Sequence, residues 1–125
     1  MVTTTRPDSL VKKIFATDKR IQFCGVVDAN GNLEAGGMRP GVQYLEPAAE
    51  TAKIVTRMFL NQAIVQANDR HLGRVSWVMV RREKLLQITF PLPERKQLQI
   101  ATRLDYPISK VTKLVKYANQ LGNIE

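Results

Sequence analysis

The side chains able to do chemistry in this sequence are few and scattered. Among its 125 residues there is one cysteine, Cys24, and one histidine, His71. A reactive thiol needs a His, Lys or Arg beside it to favour the thiolate, and Cys24 has none adjacent in sequence, so it is expected to be a small buried residue of a strand. A metal centre needs several His or Cys ligands at fixed spacing; His71 stands alone and reads as a helix-terminal residue, so no metal and no cofactor is expected. The carboxylates fall on turns and helix ends, without paired spacing or a Ser/His/Asp set. The chain is therefore expected not to be an enzyme.

Two other patterns invite a binding role. Gly36-Gly37-Met38-Arg39-Pro40-Gly41 sets glycine-rich backbone beside an arginine, as an anion loop would. It has no Gly-Lys-Ser/Thr, no G-x-G-x-x-G and no helix starting at once behind it, so a tight turn is the better reading. The second pattern is basic. Arg81, Arg82 and Lys84 fall in one turn, Arg95 and Lys96 in another, and Lys110, Lys113 and Lys116 form a ridge on a helix. These are the candidate anion- or nucleic-acid-binding residues, with Tyr106 or Tyr117 available to stack on a base.

The charge balance agrees with that placement. The net charge is +8, and residues 1–50 hold six Lys/Arg against six Asp/Glu while residues 51–125 hold thirteen against five. The whole excess belongs to the later part of the chain, which favours an acidic partner there. One cysteine excludes an intramolecular disulfide and suits a reducing, cytoplasmic setting. No apolar run reaches the about 18 residues that a membrane-spanning helix needs, so no membrane partner is expected.

The elements that must position these residues follow from periodicity. Pro7-Asp8-Ser9 opens a first helix with an apolar stripe of Leu10, Val11, Ile14 and Phe15. Ile21–Val42 then reads as a β-hairpin: Ile21, Phe23, Gly25 and Val27 alternate on one face, Asn30-Gly31 turns the chain, and Leu33, Ala35 and Gly37 resume the alternation. A long helix is expected over Pro47–Asp69, closed by Gly73, with Ala48, Ala52, Val55, Phe59 and Ala63 on its core row. Ile54, Met58 and Val65 make a second apolar row on the same helix. A helix apolar on two faces is buried on two faces, and a second subunit is the simplest cover; Ile54, Met58, Val65, Val78 and Val80 are the candidate dimer interface.

From Val75 the period becomes two. Val75–Val80 reads as a strand buried on both faces, with Trp77 and Met79 on one and Val78 and Val80 on the other. Leu85–Phe90 returns with Leu86, Ile88 and Phe90 aligned, and Gln97–Arg103 adds a third strand with Leu98 and Ile100 inward and Gln97, Gln99 and Ala101 outward. A last helix begins at Asp105-Tyr106-Pro107 and buries Ile108, Val111, Val115, Ala118 and Leu121. The expected class is α+β: one domain over residues 1–125, in α-β-β-α-β-β-β-α order, with a five-stranded antiparallel sheet. The long helix covers one side and the terminal helices the other.

That order, with a two-strand unit, a crossover helix and a three-strand meander, resembles the Roadblock domain, a relative of the profilin and longin folds. The hairpin motifs Phe23-Cys24-Gly25-Val26-Val27-Asp28, Asn30-Gly31 and Gly36-Gly37-Met38-Arg39-Pro40-Gly41 are also similar to the opening of a family of short, uncharacterised proteins of ammonia-oxidising archaea, here with Pro40 between the arginine and the last glycine. The Roadblock resemblance implies homodimers formed through the central helix and the strand after it, and a regulatory or scaffolding role towards a protein partner such as a small GTPase. Two alternatives remain: a basic nucleic-acid-binding protein, and a PAS-like sensor whose small residues Gly25, Ala35 and Gly37 leave room for a ligand over the hairpin.

Overall fold

A computed structural model describes residues 7–42 and 69–122. The expected long helix, with Ile54, Met58 and Val65, lies outside the described residues apart from its end. The described elements are α1 (Pro7–Thr17), β1 (Ile21–Val27), β2 (Leu33–Met38), α2 (Asp69–Leu72), β3 (Val78–Arg81), β4 (Leu86–Pro91), β5 (Gln97–Thr102) and α3 (Val111–Gly122), with single 3-10 turns at Pro93–Arg95 and Ile108–Lys110. The strands form one antiparallel sheet in the order β2-β1-β5-β4-β3. Gly73 follows the last residue of α2, as a closing glycine should.

The core lies between one face of this sheet and the two terminal helices. From α1, Leu10, Val11 and Ile14 are buried against Ile21, Cys24 and Val26 of β1; from α3, Val111, Leu114, Ala118 and Leu121 join Leu86, Ile88 and Phe90 of β4 and Leu98 and Ile100 of β5. Each of the larger aliphatic side chains contributes about 1.5–3 kcal/mol through burial. The strip expected on α1 is the one observed, because a single helical phase runs through it. The strip on α3 differs: Ile108 is 61% exposed and Leu114 is buried in its stead. Ile108–Lys110 turns as a 3-10 helix, with three residues per turn, so the angular phase read from an α-helix fails across it.

The hairpin face also differs from the expected alternation. Ile21 opposes Thr102 and Phe23 opposes Ala101, so β1 carries an extra residue there and side-chain parity inverts. Ile21, Cys24 and Val26 consequently share the core face, and Phe23, Gly25 and Val27 the other. A second irregularity between Val26 and Val27 separates Leu33, 47% exposed, from buried Ala35. On that other face Gln97 and Gln99 are buried, contrary to the solvated position expected of them. Burial is tolerable because the amides bond one another: Gln99 Nε2 donates to Gln97 Oε1 at 2.5 Å, and Thr89 Oγ1 donates to Gln99 Oε1 at 3.0 Å.

The motif residues build the hairpin. Asp28 accepts from the backbone N–H groups of Asn30 and Asn32, each at 2.9 Å, and its own N–H donates to Asn32 O, while Gly31 takes φ 83°. Those bonds, chiefly from Asn32, hold the Asp28 carboxyl below its ordinary pKa. Gly25 and Gly36 face each other across the ladder. Gly36 has φ +89°, and a Cβ there would stand 2.0 Å from the Cys24 carbonyl oxygen. Arg39 is consumed structurally: its guanidinium donates to the carbonyls of Phe15 at 2.6 Å, Asp18 at 2.7 Å and Ile21 at 2.7 Å, and lies 5.0 Å from the Phe15 ring centre. It satisfies the carbonyls that the end of α1 leaves open and ties them to β1 and β2.

Asp18 makes a second tie at the same corner. Its side chain is only 5% exposed; Oδ1 accepts from Arg20 Nε at 2.9 Å and Arg20 N at 2.8 Å, and Oδ2 from Arg20 Nη2 at 2.8 Å and Lys110 Nζ at 2.6 Å. The bonded Arg20 guanidinium, and secondarily the Lys110 ammonium, hold the carboxyl well below the usual carboxylate range against the opposing effect of burial.

Substitutions at the hairpin and at this corner test the framework. Gly36→Ala should cost about 3 kcal/mol, from backbone strain and the clash with Cys24, whereas Gly41→Ala, at φ +86° with open space around it, should cost about 1 kcal/mol; denaturant midpoints measure both, and equal losses would remove the close-approach account. Asp18→Asn should lower stability by about 2–3 kcal/mol at pH 7. Because the native pKa is depressed, that contribution is complete above the ordinary carboxylate pKa of 3.8 and declines as pH falls below it, so the difference between parent and variant should narrow at pH 3 in urea titrations.

Candidate functional site

Register decides which basic residues meet. Ile21 pairs with Thr102, Thr102 with Leu86 and Leu86 with Arg81, so the start of β1, the end of β5, the start of β4 and the end of β3 share one end of the sheet. The end of β2 joins them through the Phe23–Met38 pair. Here lie Lys19 and Arg20 before β1, Arg103 after β5, and Arg81, Arg82 and Lys84 around the β3–β4 turn. The Arg82 N–H donates to Leu85 O at 2.9 Å to close the turn, and Arg82 Nε donates to Gln87 Oε1 at 2.7 Å. Arg81, Arg82 and Lys84 are exposed, as are Lys19 and Arg103. Arg103 N donates to Arg20 O at 2.9 Å, which holds the two neighbouring strand ends together, and its guanidinium stands 3.4 Å from Asp105.

The other basic turn is at the opposite end. Val27, Gln97 and Pro91 are in register there, so Arg95 and Lys96 sit beside Asp28, Glu34 and Glu94. Lys96 Nζ is 3.2 Å from Glu34 and 3.7 Å from Glu94, and the Glu34 contact chiefly raises its pKa. Glu94 and Arg95 hold left-handed φ values of 63° and 61°, which makes this a tight connection. The two expected basic clusters are thus separated by the length of the strands.

The lysine ridge is divided as well. Lys110 is engaged with Asp18, while Lys113 and Lys116 are exposed, and Lys116 Nζ lies 5.0 Å from the Tyr117 ring centre. With Thr17, Tyr106, Leu114 and Tyr117, the three lysines line an open concavity of about 160 Å³. Tyr106, a candidate stacking residue, is buried at 4% exposure. Burial, with the nearby Asp18 charge, pushes its phenol up to about 12. It is a core residue.

Val78 and Val80 lie on β3, the outer strand next to β4, and are 36% and 38% exposed. The expected strand starts at Val75 and is buried on both faces; the observed one starts at Val78 and is covered on one, where Trp77 and Met79 pack against the core. Over the hairpin, where small residues suggest ligand space, the Leu33 side chain already occupies the position above Gly25. Cys24 is buried, and desolvation pushes its thiol up to about 12. His71 is exposed, and no group of three His, Cys, Asp or Glu that could hold a metal occurs among the described residues. No helix among them is long and apolar enough to cross a membrane.

Sequence reasoning misses Asp18, Arg20, Arg39, Lys19 and Arg103. The local Asp18-Lys19-Arg20 spacing is visible, but the partnership of Asp18 with Lys110 spans 92 residues and has no local signature.

No family model matches the sequence, and no curated protein matches it significantly. Solved structures do match. The gliding protein MglB from Thermus thermophilus is 18% identical, over 98% of this chain and 93% of that one, with a TM-score of 0.69. An MglB with a tetrameric arrangement is 18% identical, over 98% and 92%, with a TM-score of 0.73. A Roadblock/LC7 domain from Streptomyces avermitilis is 9% identical, over 94% and 92%, with a TM-score of 0.65. The five-stranded antiparallel sheet with its helices is a Roadblock-like α+β fold.

Proposed function

We propose that the chain is a homodimeric regulatory or scaffolding domain that docks a protein partner and performs no reaction of its own. The observation that carries this reading is the outer edge of β3. One side of β3 is paired with β4, and its valines at 78 and 80 remain more than a third exposed. Such an edge presents open backbone donors and acceptors, and two copies related by a twofold axis satisfy them by antiparallel pairing. Arg81 is the one charged residue of the strand, so the edge carries little to oppose pairing. The tetrameric arrangement named for one MglB structure supports self-association as a property of the fold. Ile54, Met58 and Val65 belong to the same proposed interface.

A small GTPase is the first partner to test, on the strength of the Roadblock likeness. The buried, high-pKa Cys24 and the lack of a second cysteine to pair with it suit a cytoplasmic protein.

Light scattering at micromolar concentration should give twice the chain mass. The double substitution Val78→Lys with Val80→Lys should weaken self-association at least about 100-fold and leave the unfolding midpoint nearly unchanged, because both positions are already partly solvated. Met58→Asp should also yield a folded monomer. A monomeric parent, or a dimer that survives the β3 substitutions, would overturn the reading; unfolding by Met58→Asp would assign that row to the core.

A further inference from the structure

We infer that the strand-end rim formed by Lys19, Arg103, Arg81, Arg82 and Lys84 is a sequence-independent docking surface for the phosphate backbone of duplex nucleic acid. Charge in this domain is sorted along the strand axis. At the Asp28 end, acidic Glu34 and Glu94 flank Lys96 and engage it. At the other end, among the described residues, Asp18 holds Arg20 and Lys110 inside the corner, and Asp105 lies beside Arg103. Arg39 is withdrawn into backbone carbonyls. What faces solvent is a row of cations carried by β1, β5, β4 and β3 in their spatial order, with Glu83 the one acid in the β3–β4 turn.

The row is fixed by the sheet. Strand spacing of about 4.8 Å spreads the four strand ends that carry these cations over about 14 Å, wider than the about 12 Å of a major groove, so the cations can reach phosphates on both of its walls. Long side chains on rigid strand ends lose less freedom on binding than a disordered basic tail would. Among the described residues, the aromatic rings argue for duplex over single strand. Tyr106 is buried, Trp77, Phe15 and Phe23 are partly covered, and none of these rings is free at the rim to stack on an unpaired base. The proposed contacts are to phosphate, which carries no sequence information. Arg81, the last residue of β3, belongs to both this surface and the proposed β3 edge, whereas Lys19, Arg103, Arg82 and Lys84 lie outside that strand.

The test is fluorescence anisotropy of the full chain with a labelled 20-base-pair duplex across a salt series. The triple substitution Arg81→Ala, Arg82→Ala and Lys84→Ala should lose at least about tenfold in affinity at low salt and flatten the logarithmic salt slope by about 2–3, at about 0.9 for each phosphate no longer neutralised. The charge-matched control Lys12→Ala, Arg74→Ala and Arg95→Ala, three exposed cations that are not members of the row, should stay within about twofold. Single-stranded DNA of equal charge should bind no tighter than duplex. No duplex binding at low salt, equal losses in both triple variants, or equal competition by polyglutamate or phosphatidylserine vesicles at matched charge would overturn the proposal.

Discussion

The Asp18 carboxylate is the constraint on which this structure most depends. A buried carboxylate is costly unless its lone pairs are filled, and here one guanidinium, one backbone N–H and one ammonium fill them. The donors come from two parts of the chain, Arg20 at the entry to β1 and Lys110 at the entry to α3. Satisfying one charge therefore fixes where both terminal helices meet the sheet. Arg39 acts beside it on the open carbonyls at the end of α1, so the helix, the hairpin and the last helix converge on a single polar corner over an otherwise apolar core.

That corner determines what is left for function. Cations drawn into it cannot serve a partner, and cations outside it are placed by strand register. Residues that look equivalent as basic clusters are separated into three environments: the engaged Lys110, the acid-flanked Lys96, and the solvated rim around Arg82. The apolar surface is sorted by the same rule. Leu98, Ile100 and their neighbours disappear under the helices, while Val78 and Val80 stay on an outer edge. In a fold without an enclosed reactive centre among its described residues, edges and ends are the parts with something to offer.

Much of this is legible in the sequence, and the failures share a cause. Periodicity of 3.6 finds α1, and Asn30-Gly31 with alternating neighbours finds the hairpin, because both signals are local. Parity in β1 is misread since a bulge near Ile21 is set by the ladder with β5, and parity in β2 is misread since Glu34 is the extra residue opposite Val26 and Val27; neither leaves a mark in the sequence of its own strand. Leu114 is passed over for Ile108 because a 3-10 turn shifts the phase. Gln97 and Gln99 read as solvated strand residues because their mutual hydrogen bond, and the bond from Thr89, are tertiary. Lys110 reads as one of three equal lysines since its partner lies on the far side of the chain.

The sorting of lysines can be measured directly. Acetylation of native protein with a limiting amine-reactive reagent, followed by peptide mass spectrometry, reports how freely each ammonium meets solvent. Lys110, held 2.6 Å from Asp18, should label several-fold more slowly than Lys113 and Lys116 on the same helix, and Asp18→Asn should abolish that protection. Equal labelling of Lys110 and Lys113 in the parent protein would contradict the polar corner on which both terminal helices converge.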